Sequence, residues 1–169
     1  GPGPVLGVSY VYVANTGDNL QLRKEIQVCR FPEPRVFAGA TIEAADVVVL
    51  RYHYPDGPHD AEAMFVDPKQ GDVYLVTKRD AQSTVYRAPD IDDGKTVRTL
   101  ERVASLPVTG ICAADISSDG REILAKTLSQ ILLWHVLEDE SISTALQRHP
   151  TRLPYVREPQ GEAIAWGAQ

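Results

Sequence analysis

The sequence predicts an all-β fold, a β-propeller segment of about three four-stranded antiparallel blades. Glycine and proline, 12 of each, punctuate the chain. The segments between them are rich in Val, Ile, Tyr and Thr, as in consecutive antiparallel strands. These segments recur in the same order at roughly 50-residue spacing, which is the size of a propeller blade.

Two kinds of strand repeat next to each other and form a hairpin in each copy. The first kind is found at residues 11–16 (VYVANT), 73–78 (VYLVTK) and, more weakly, 123–127 (ILAKT). The second kind is found at residues 28–32 (VCRFP), 85–89 (VYRAP) and 132–134 (LLW). A β-sandwich also has short alternating strands, but it gives no reason for strand order and turn chemistry to repeat together.

Two further kinds of strand complete the repeat. The outer kind is found at residues 46–53, 97–104 and, less clearly, 151–156. The inner kind is an acidic and then apolar segment at residues 60–68, 111–120 and 160–166. The turns at residues 68–71 (PKQG) and 118–120 (SDG) connect an inner strand to its neighbour.

With the strands of a blade labelled a to d from the channel outward, residues 1–169 form one propeller-like unit. The blade equivalents are about 1–55, 56–107 and 108–158, followed by a final inner strand within 159–167. The first blade has strands b to d at about 8–15, 24–31 and 45–53, and lacks strand a. The second blade has strands at about 60–66, 72–78, 83–88 and 97–105. The third has strands at about 111–117, 121–127, 130–137 and 151–156, with a short helix capped by Ser141 before the last one.

Three blades leave the ring open, since propellers typically have four to eight. One explanation is that the chain is a piece of a longer propeller. Another is a homodimer in which two chains meet head to tail and each C-terminal strand fills the vacant inner edge of the other, giving six blades. A further reading, on function, is a non-functional remnant of a longer protein, which predicts an aggregating or poorly folded monomer.

Charge and hydropathy narrow the range of partners. The chain has 17 basic and 23 acidic residues and a net charge of −6, which argues against general nucleic-acid binding. The longest apolar stretches have four residues, far fewer than the roughly 20 that a membrane-spanning helix needs. The compartment stays open, with secretion or the cell envelope favoured over the cytoplasm.

The repeated segments resemble a family of largely uncharacterised bacterial β-propeller proteins with WD40-like and YVTN-like repeats. Residues 11–19, 60–79, 114–121 and 160–166 carry the resemblance, which covers nearly the whole chain. It implies the propeller fold, with another blade before the point that matches Gly1 and further strands after the point that matches Gly167. It does not imply a particular reaction.

Four carboxylates lie at or near the channel ends of successive inner strands, where a propeller brings equivalent residues together. They are Asp60, Glu62, Asp115 and Glu162. Oxygen ligands gathered around the axis would suit Ca²⁺, which takes six to eight of them. The alternative is that they bond to neighbouring strands or face water. Alignment of the turns after Val66 and Ile116 sets Asp115 opposite Phe65 rather than Glu62, on the other face of the strand.

Two loops provide a second set of candidate binding residues. Asn15, Asp18 and Asn19 follow the first strand, where they could bind a ligand or serve only as turn residues. His53 and His59 flank a turn that also contains Asp56, and imidazole with carboxylate can bind metal or transfer protons.

No sequence motif of a known catalytic class is present. The sequence therefore predicts a binding or interaction module on a propeller scaffold. The alternative is a Ca²⁺-dependent hydrolase of the phytase or lactonase type, in which channel-bound calcium would polarise a substrate phosphate or carbonyl.

Overall fold

The computed structural model describes residues 1–35, 39, 41–88 and 94–167. In chain order, the strands are β1 (Tyr10–Asn15), β2 (Ile26–Pro32), β3 (Val48–His53), β4 (Ala61–Val66), β5 (Val73–Thr77), β6 (Thr84–Ala88), β7 (Val97–Thr99), β8 (Glu101–Ser105), β9 (Ala113–Ile116), β10 (Glu122–Lys126), β11 (Ile131–His135) and β12 (Thr151–Leu153), with helix α1 (Ile142–Ala145) before β12. They form three four-stranded, mostly antiparallel sheets, and none closes into a barrel. The predicted all-β, incomplete propeller-like fold is confirmed.

Each sheet follows the predicted order of consecutive neighbouring strands. Sheet 1 is β1-β2-β3 with β7 at its outer edge, sheet 2 is β4-β5-β6-β8, and sheet 3 is β9-β10-β11-β12. Sheet 1 begins with the strand type that comes second in sheets 2 and 3, so within the described ranges it has no inner strand equivalent to β4 or β9. This matches the expectation that the first blade lacks strand a.

The prediction of a single outer strand at residues 97–105 was wrong, because the segment divides at Leu100 between two sheets. Strand β7 pairs in parallel with β3, whereas β8 pairs antiparallel with β6. Leu100 is 2% exposed, and its N–H donates to the carbonyl of His53. Its side chain is buried between sheets 1 and 2, and this burial fixes the point at which the chain passes from one sheet to the other.

Sheet 2 is buried on both faces, as expected for a middle blade. All five residues of β5 are buried. Val73 and Leu75 belong to the core shared with sheet 1, and Tyr74 and Val76 to the core shared with sheet 3. Because successive side chains of a strand point to opposite faces, one continuous apolar strand serves two interfaces.

Large apolar side chains from the outer two sheets complete these interfaces. Sheet 1 contributes Leu50 and Tyr52 to the first, and sheet 3 contributes Ile123 and Trp134 to the second. Each is at most 2% exposed, and burial of such a side chain stabilises the fold by about 1.5–3 kcal/mol. Stacking of sheet on sheet is therefore what holds the described chain together.

The predicted helix between β11 and β12 is present. The Ser141 side chain accepts a hydrogen bond from the N–H of Thr144, so Ser141 is the N-cap of α1. Ile142, Ala145 and Leu146 are buried in the core between sheets 2 and 3. No helix in the described part of the chain combines the length and apolar character that a membrane span requires.

The inner strand expected within residues 159–167 is not formed. The whole of this segment is free of strand structure. Instead, side chains of sheets 2 and 3 hold it: Lys78 contacts Glu162, Lys126 contacts Glu158, and Asp115 accepts from the N–H of Trp166. A strand needs a neighbouring ladder, and this segment makes no backbone-to-backbone hydrogen bond to the rest of the described chain.

Candidate functional site

Most of the predicted site residues lie at one end of the molecule. We call it the upper end, where β1, β3 and β5 finish and β2, β4 and β6 begin. The residues found there are Asn15, Asp18, Asn19, His53, His59, Asp60, Glu62 and Glu162. The remaining one, Asp115, lies toward the opposite, lower end, beside the turn that follows β9.

Asp60 is the most deeply buried of these residues, with no exposed surface. Its carboxylate accepts from Nε of Arg79 at 2.7 Å and from the backbone N–H of Asp18 at 2.6 Å. A buried carboxylate is tolerated only when it is paired and hydrogen-bonded. Asp60 therefore connects the loop after β1 to the loop after β5.

Two arginines hold the loop after β1. Nε of Arg79 donates to Oδ1 of Asn19 at 3.0 Å. Arg23 donates from its side chain to Asn15 at 3.0 Å and from its backbone N–H to Asp18 at 2.6 Å. Hydrogen bonds within the protein thus already hold the loop residues that were predicted to bind a ligand. A ligand would have to displace these hydrogen bonds.

Lys78, at the upper end of sheet 2, lies between two of the predicted channel carboxylates. Its ammonium is hydrogen-bonded to Glu62 and lies 3.6 Å from Oε1 of Glu162. The hydrogen bond to Glu62 is the main cause that raises the pKa of Lys78. Glu62 and Glu162 are 30% and 52% exposed, so both carboxylates remain open to solvent.

Asp115 is separated from this group by the register of its strand. Asp115 pairs with Leu124 in sheet 3, and Phe65 pairs with Tyr74 in sheet 2. Both residues lie one position before the end of their inner strand, so Asp115 is equivalent to Phe65. The structure thus has the register obtained from the turn alignment. The carboxylate of Asp115 accepts from its neighbour's N–H at 2.9 Å and from that of Trp166 at 2.8 Å.

The four carboxylates of the predicted calcium site do not form one ligand shell. Asp60 is paired with Arg79, Glu62 and Glu162 share Lys78, and Asp115 bonds to backbone amides. Among the described residues, no group of three or more His, Cys, Asp and Glu side chains is arranged to hold a metal ion. Calcium would have to displace the Arg79 and Lys78 side chains from these carboxylates. Calcium binding stays a prediction.

His59 lies in a closely connected polar cluster between the loops after β3 and β5. Its ring nitrogens lie 3.1 Å from Asp56 and 3.1 Å from Asp80, and the Tyr86 hydroxyl lies 2.9 Å from Nε2. Burial raises the pKa of Asp56, but hydrogen bonds from Tyr86 and His59 outweigh it and lower the pKa. Burial and the contact with Asp56 raise the pKa of Tyr86, so this phenol stays protonated.

His53 is not part of that cluster. Its Nε2 lies 2.7 Å from Oγ1 of Thr99, at the pairing of β3 with β7. The two histidines that the sequence predicted as one loop set therefore have different surroundings, with His59 beside Asp56 and His53 beside Thr99 at the outer strands.

Sequence reasoning missed the residues that organise the upper end. Lys78, Arg79 and Asp80 follow β5 directly and provide the partners of Glu62, Asp60 and His59. Their position after a strongly apolar strand was the available signal, because the end of a buried strand carries loop residues to a sheet edge.

No sequence signal pointed to Tyr54, which is 7% exposed and whose buried hydroxyl has no hydrogen-bond partner among the described residues.

A large cavity lies at the lower end and was not predicted. It has a volume of about 780 Å³ and is lined by N-terminal residues, the inner strands and the C-terminal segment, including Leu6, Tyr12, Met64, Asp115 and Trp166. Of the predicted site residues, only Asp115 lines it.

Comparison with known proteins adds a structural likeness. No family model and no curated protein sequence matches the chain. A crystal structure of a Lactobacillus plantarum protein, a structural genomics target, is similar at 11% identity with a TM-score of 0.48. The match covers 91% of this chain and 40% of that protein, so the chain spans about two fifths of its length.

Proposed function

We propose that the protein is a binding module and that its ligand-binding surface is the upper end. The scaffold is β-propeller-like, and on such scaffolds the loops at one end of rigid strands carry most binding residues. Loops of different sheets are connected there through Asp60, Arg79 and Asn19. This connection supports a surface that is ordered before a ligand arrives.

The sharing of Lys78 by Glu62 and Glu162 carries the proposal furthest. One ammonium balances two partly exposed carboxylates, so the group has an excess negative charge. A ligand that presents an ammonium or guanidinium group would compensate it. We therefore propose a partner with basic side chains, bound chiefly through Glu162, which is 52% exposed.

The test uses fluorescence anisotropy with two labelled ten-residue probe peptides, one rich in lysine and one rich in glutamate. We expect the lysine-rich peptide to bind and the glutamate-rich peptide not to bind. Glu162→Gln and Glu62→Gln should each weaken binding about two- to fivefold, since an exposed ion pair contributes up to about 1 kcal/mol. Glu43→Gln, at an exposed position before β3, is the matched control and should change nothing. Equal affinity for both peptides, or no effect of either variant, would contradict the proposal.

The calcium-dependent hydrolase alternative is separated by a second measurement. Calcium that binds only the folded state raises the melting temperature. A rise at millimolar calcium that is lost in Glu62→Gln and Glu162→Gln would favour the hydrolase alternative. No rise would favour the binding module.

A further inference from the structure

The loop after β1, residues 16–25, exposes two leucines at its tip. Leu20 is 77% exposed and Leu22 is 71% exposed. Gln21 lies between them with a φ of 52°, and its N–H donates to the carbonyl of Asp18 at 2.8 Å. Single exposed apolar side chains are ordinary, whereas apolar side chains grouped on a surface mark interaction sites.

Buried residues hold this loop in place. The Thr16 hydroxyl donates to the carbonyl of Ala61 at 2.7 Å. The N–H of Asp18 donates to Asp60, and the Asp18 carboxylate accepts from the N–H of Arg23, each at 2.6 Å. The two leucines are therefore presented on an ordered turn, and a partner that contacts them does not have to order the loop.

The same loop lies beside the carboxylates of the proposed binding surface. Its Asn19 accepts a hydrogen bond from Arg79. The residue before Arg79 is Lys78, which contacts both Glu62 and Glu162. Two consecutive residues after β5 thus connect the tip of the loop to the carboxylate pair.

The residues that follow Leu22 line an apolar groove. Its volume is about 440 Å³, and its lining includes Lys24 and Glu25 from the loop after β1, together with Tyr54, Pro58 and Val97. The loop adds no net charge to this region, because its two acidic residues balance its two basic ones. Apolar surface at the upper end therefore extends from the two leucines to the start of β7.

We propose that the partner of the upper end is a peptide segment that carries apolar as well as basic side chains. Its apolar side chains pack on Leu20 and Leu22, and its basic side chains face Glu62 and Glu162. This inference rests on the proposed function and specifies the chemistry of the ligand. Exposed ion pairs contribute little affinity, so the burial of apolar surface supplies the larger part.

Charge favours a peptide over a lipid surface as the occupant. Exposed leucines also insert into membranes, but electrostatic attraction to a bilayer comes from clusters of Lys and Arg near anionic lipids. The chain has a net charge of −6, and Glu62 and Glu162 share one ammonium at the same end as the leucines. These carboxylates repel an anionic bilayer and attract a basic segment.

The test compares two labelled ten-residue peptides by fluorescence anisotropy. Both carry five lysines. One has serine at the other five positions, and the second has leucine in place of two of these serines. We expect the leucine-containing peptide to bind about tenfold more tightly, because partial burial of two leucine side chains provides a factor of that order.

The double variant Leu20→Gln with Leu22→Gln should bind both peptides equally, with the affinity that the wild-type protein has for the serine peptide. Leu137→Gln is the matched control, because Leu137 is 62% exposed but follows β11 at the lower end. It should leave both affinities unchanged. These side chains are exposed, so the variants should keep the stability of the wild-type protein.

Equal affinity of the wild-type protein for both peptides would refute this inference and leave the proposed function standing. A preference for leucine that persists in the double variant would also refute it, because another surface would then bind the leucines. Failure of both peptides to bind would refute the proposed function together with this inference. Sedimentation with phosphatidylserine-containing vesicles, lost in the double variant, would overturn the peptide proposal by making the leucines a lipid anchor.

Discussion

The Nζ of Lys126 lies 2.9 Å from a carboxylate oxygen of Glu158, and this pair fastens the C-terminal segment to sheet 3. The Lys126 side chain is 3% exposed and lies under the ring of Tyr155, 4.7 Å from its centroid. Gly161 lies beside this pair, and a Cβ there would lie 2.8 Å from the ammonium, so a larger residue would require the ends of these flexible side chains to shift. The segment is therefore held by a fitted polar contact.

The attachment of the C-terminal segment should depend on acid pH. Hydrogen bonds from Lys126 and Tyr155 lower the pKa of Glu158 below its ordinary value of 4.5. A carboxyl with a lowered folded-state pKa contributes stability above the unfolded-state pKa, and loses it as pH falls through the folded value. We expect the segment to stay attached at pH 4.5 and to be released only below it. Hydrogen exchange of the Glu158 and Trp166 N–H groups, which donate to Tyr155 and Asp115, measures this as a function of pH, and Glu158→Gln should remove the acid transition.

Tyr54→Phe should leave stability unchanged or increase it. The buried Tyr54 hydroxyl has no partner among the described residues, so its removal relieves a desolvation penalty of about 1 kcal/mol. Tyr86→Phe is the matched comparison in the same aromatic cluster, 4.7 Å away between ring centroids. Its hydroxyl bonds to Asp56, and its loss should destabilise the protein by about 1–3 kcal/mol. Urea unfolding of the two variants checks the contrast, and equal losses would contradict it.

Ser141→Ala should destabilise the protein by about 1 kcal/mol, because it removes the acceptor for the N–H of Thr144. Ser141→Asp keeps an acceptor oxygen at the N-cap and should retain most of the stability. Thermal unfolding of both variants distinguishes a capping role from a general intolerance of substitution at residue 141. Equal destabilisation by Asp and Ala would contradict the capping role.

Leu100→Ala should cost about 2–5 kcal/mol, as expected for a large-to-small change in a well-packed core. It should also increase hydrogen exchange in β7, because Leu100 fixes the crossing between sheets 1 and 2. Leu22→Ala, at a position 71% exposed, is the control and should stay within about 0.5 kcal/mol of wild type. Loss of stability with unchanged exchange in β7 would show that Leu100 only fills space.

The strands could be predicted because their patterns are local. Alternating apolar residues and the turns near Gly71 and Gly120 predict the hairpins, and both glycines have positive φ. The turn alignment also predicted the register of Asp115. Local pattern could not reveal that β7 pairs with β3, since residues 97–105 look continuous in sequence and their division depends on how distant segments pack.

The sequence predicted where the residues of the candidate site lie, but not which side chains they contact. The ends of strands indicated where Asp60, Glu62 and the loop residues would lie. Which cation each carboxylate meets depends on distances between sheets, so neither Arg79 beside Asp60 nor Lys78 between Glu62 and Glu162 could be anticipated. The prediction of a final inner strand within residues 159–167 was wrong for a related reason, because a strand forms only when the edge of another strand is available to pair with it.

The division of one segment between β7 and β8 has a mechanical consequence. Residue 100 alone separates a ladder anchored on sheet 1 from one anchored on sheet 2. Sheets 1 and 2 can therefore be pulled apart only by rupturing hydrogen bonds at their shared rim. The passage from sheet 2 to sheet 3 is equally short, since the N–H of Gly110 donates to the carbonyl of Lys78 beside β5 and the N–H of Cys112 donates to Lys126 of β10. Separation of either pair of neighbouring sheets therefore ruptures backbone hydrogen bonds.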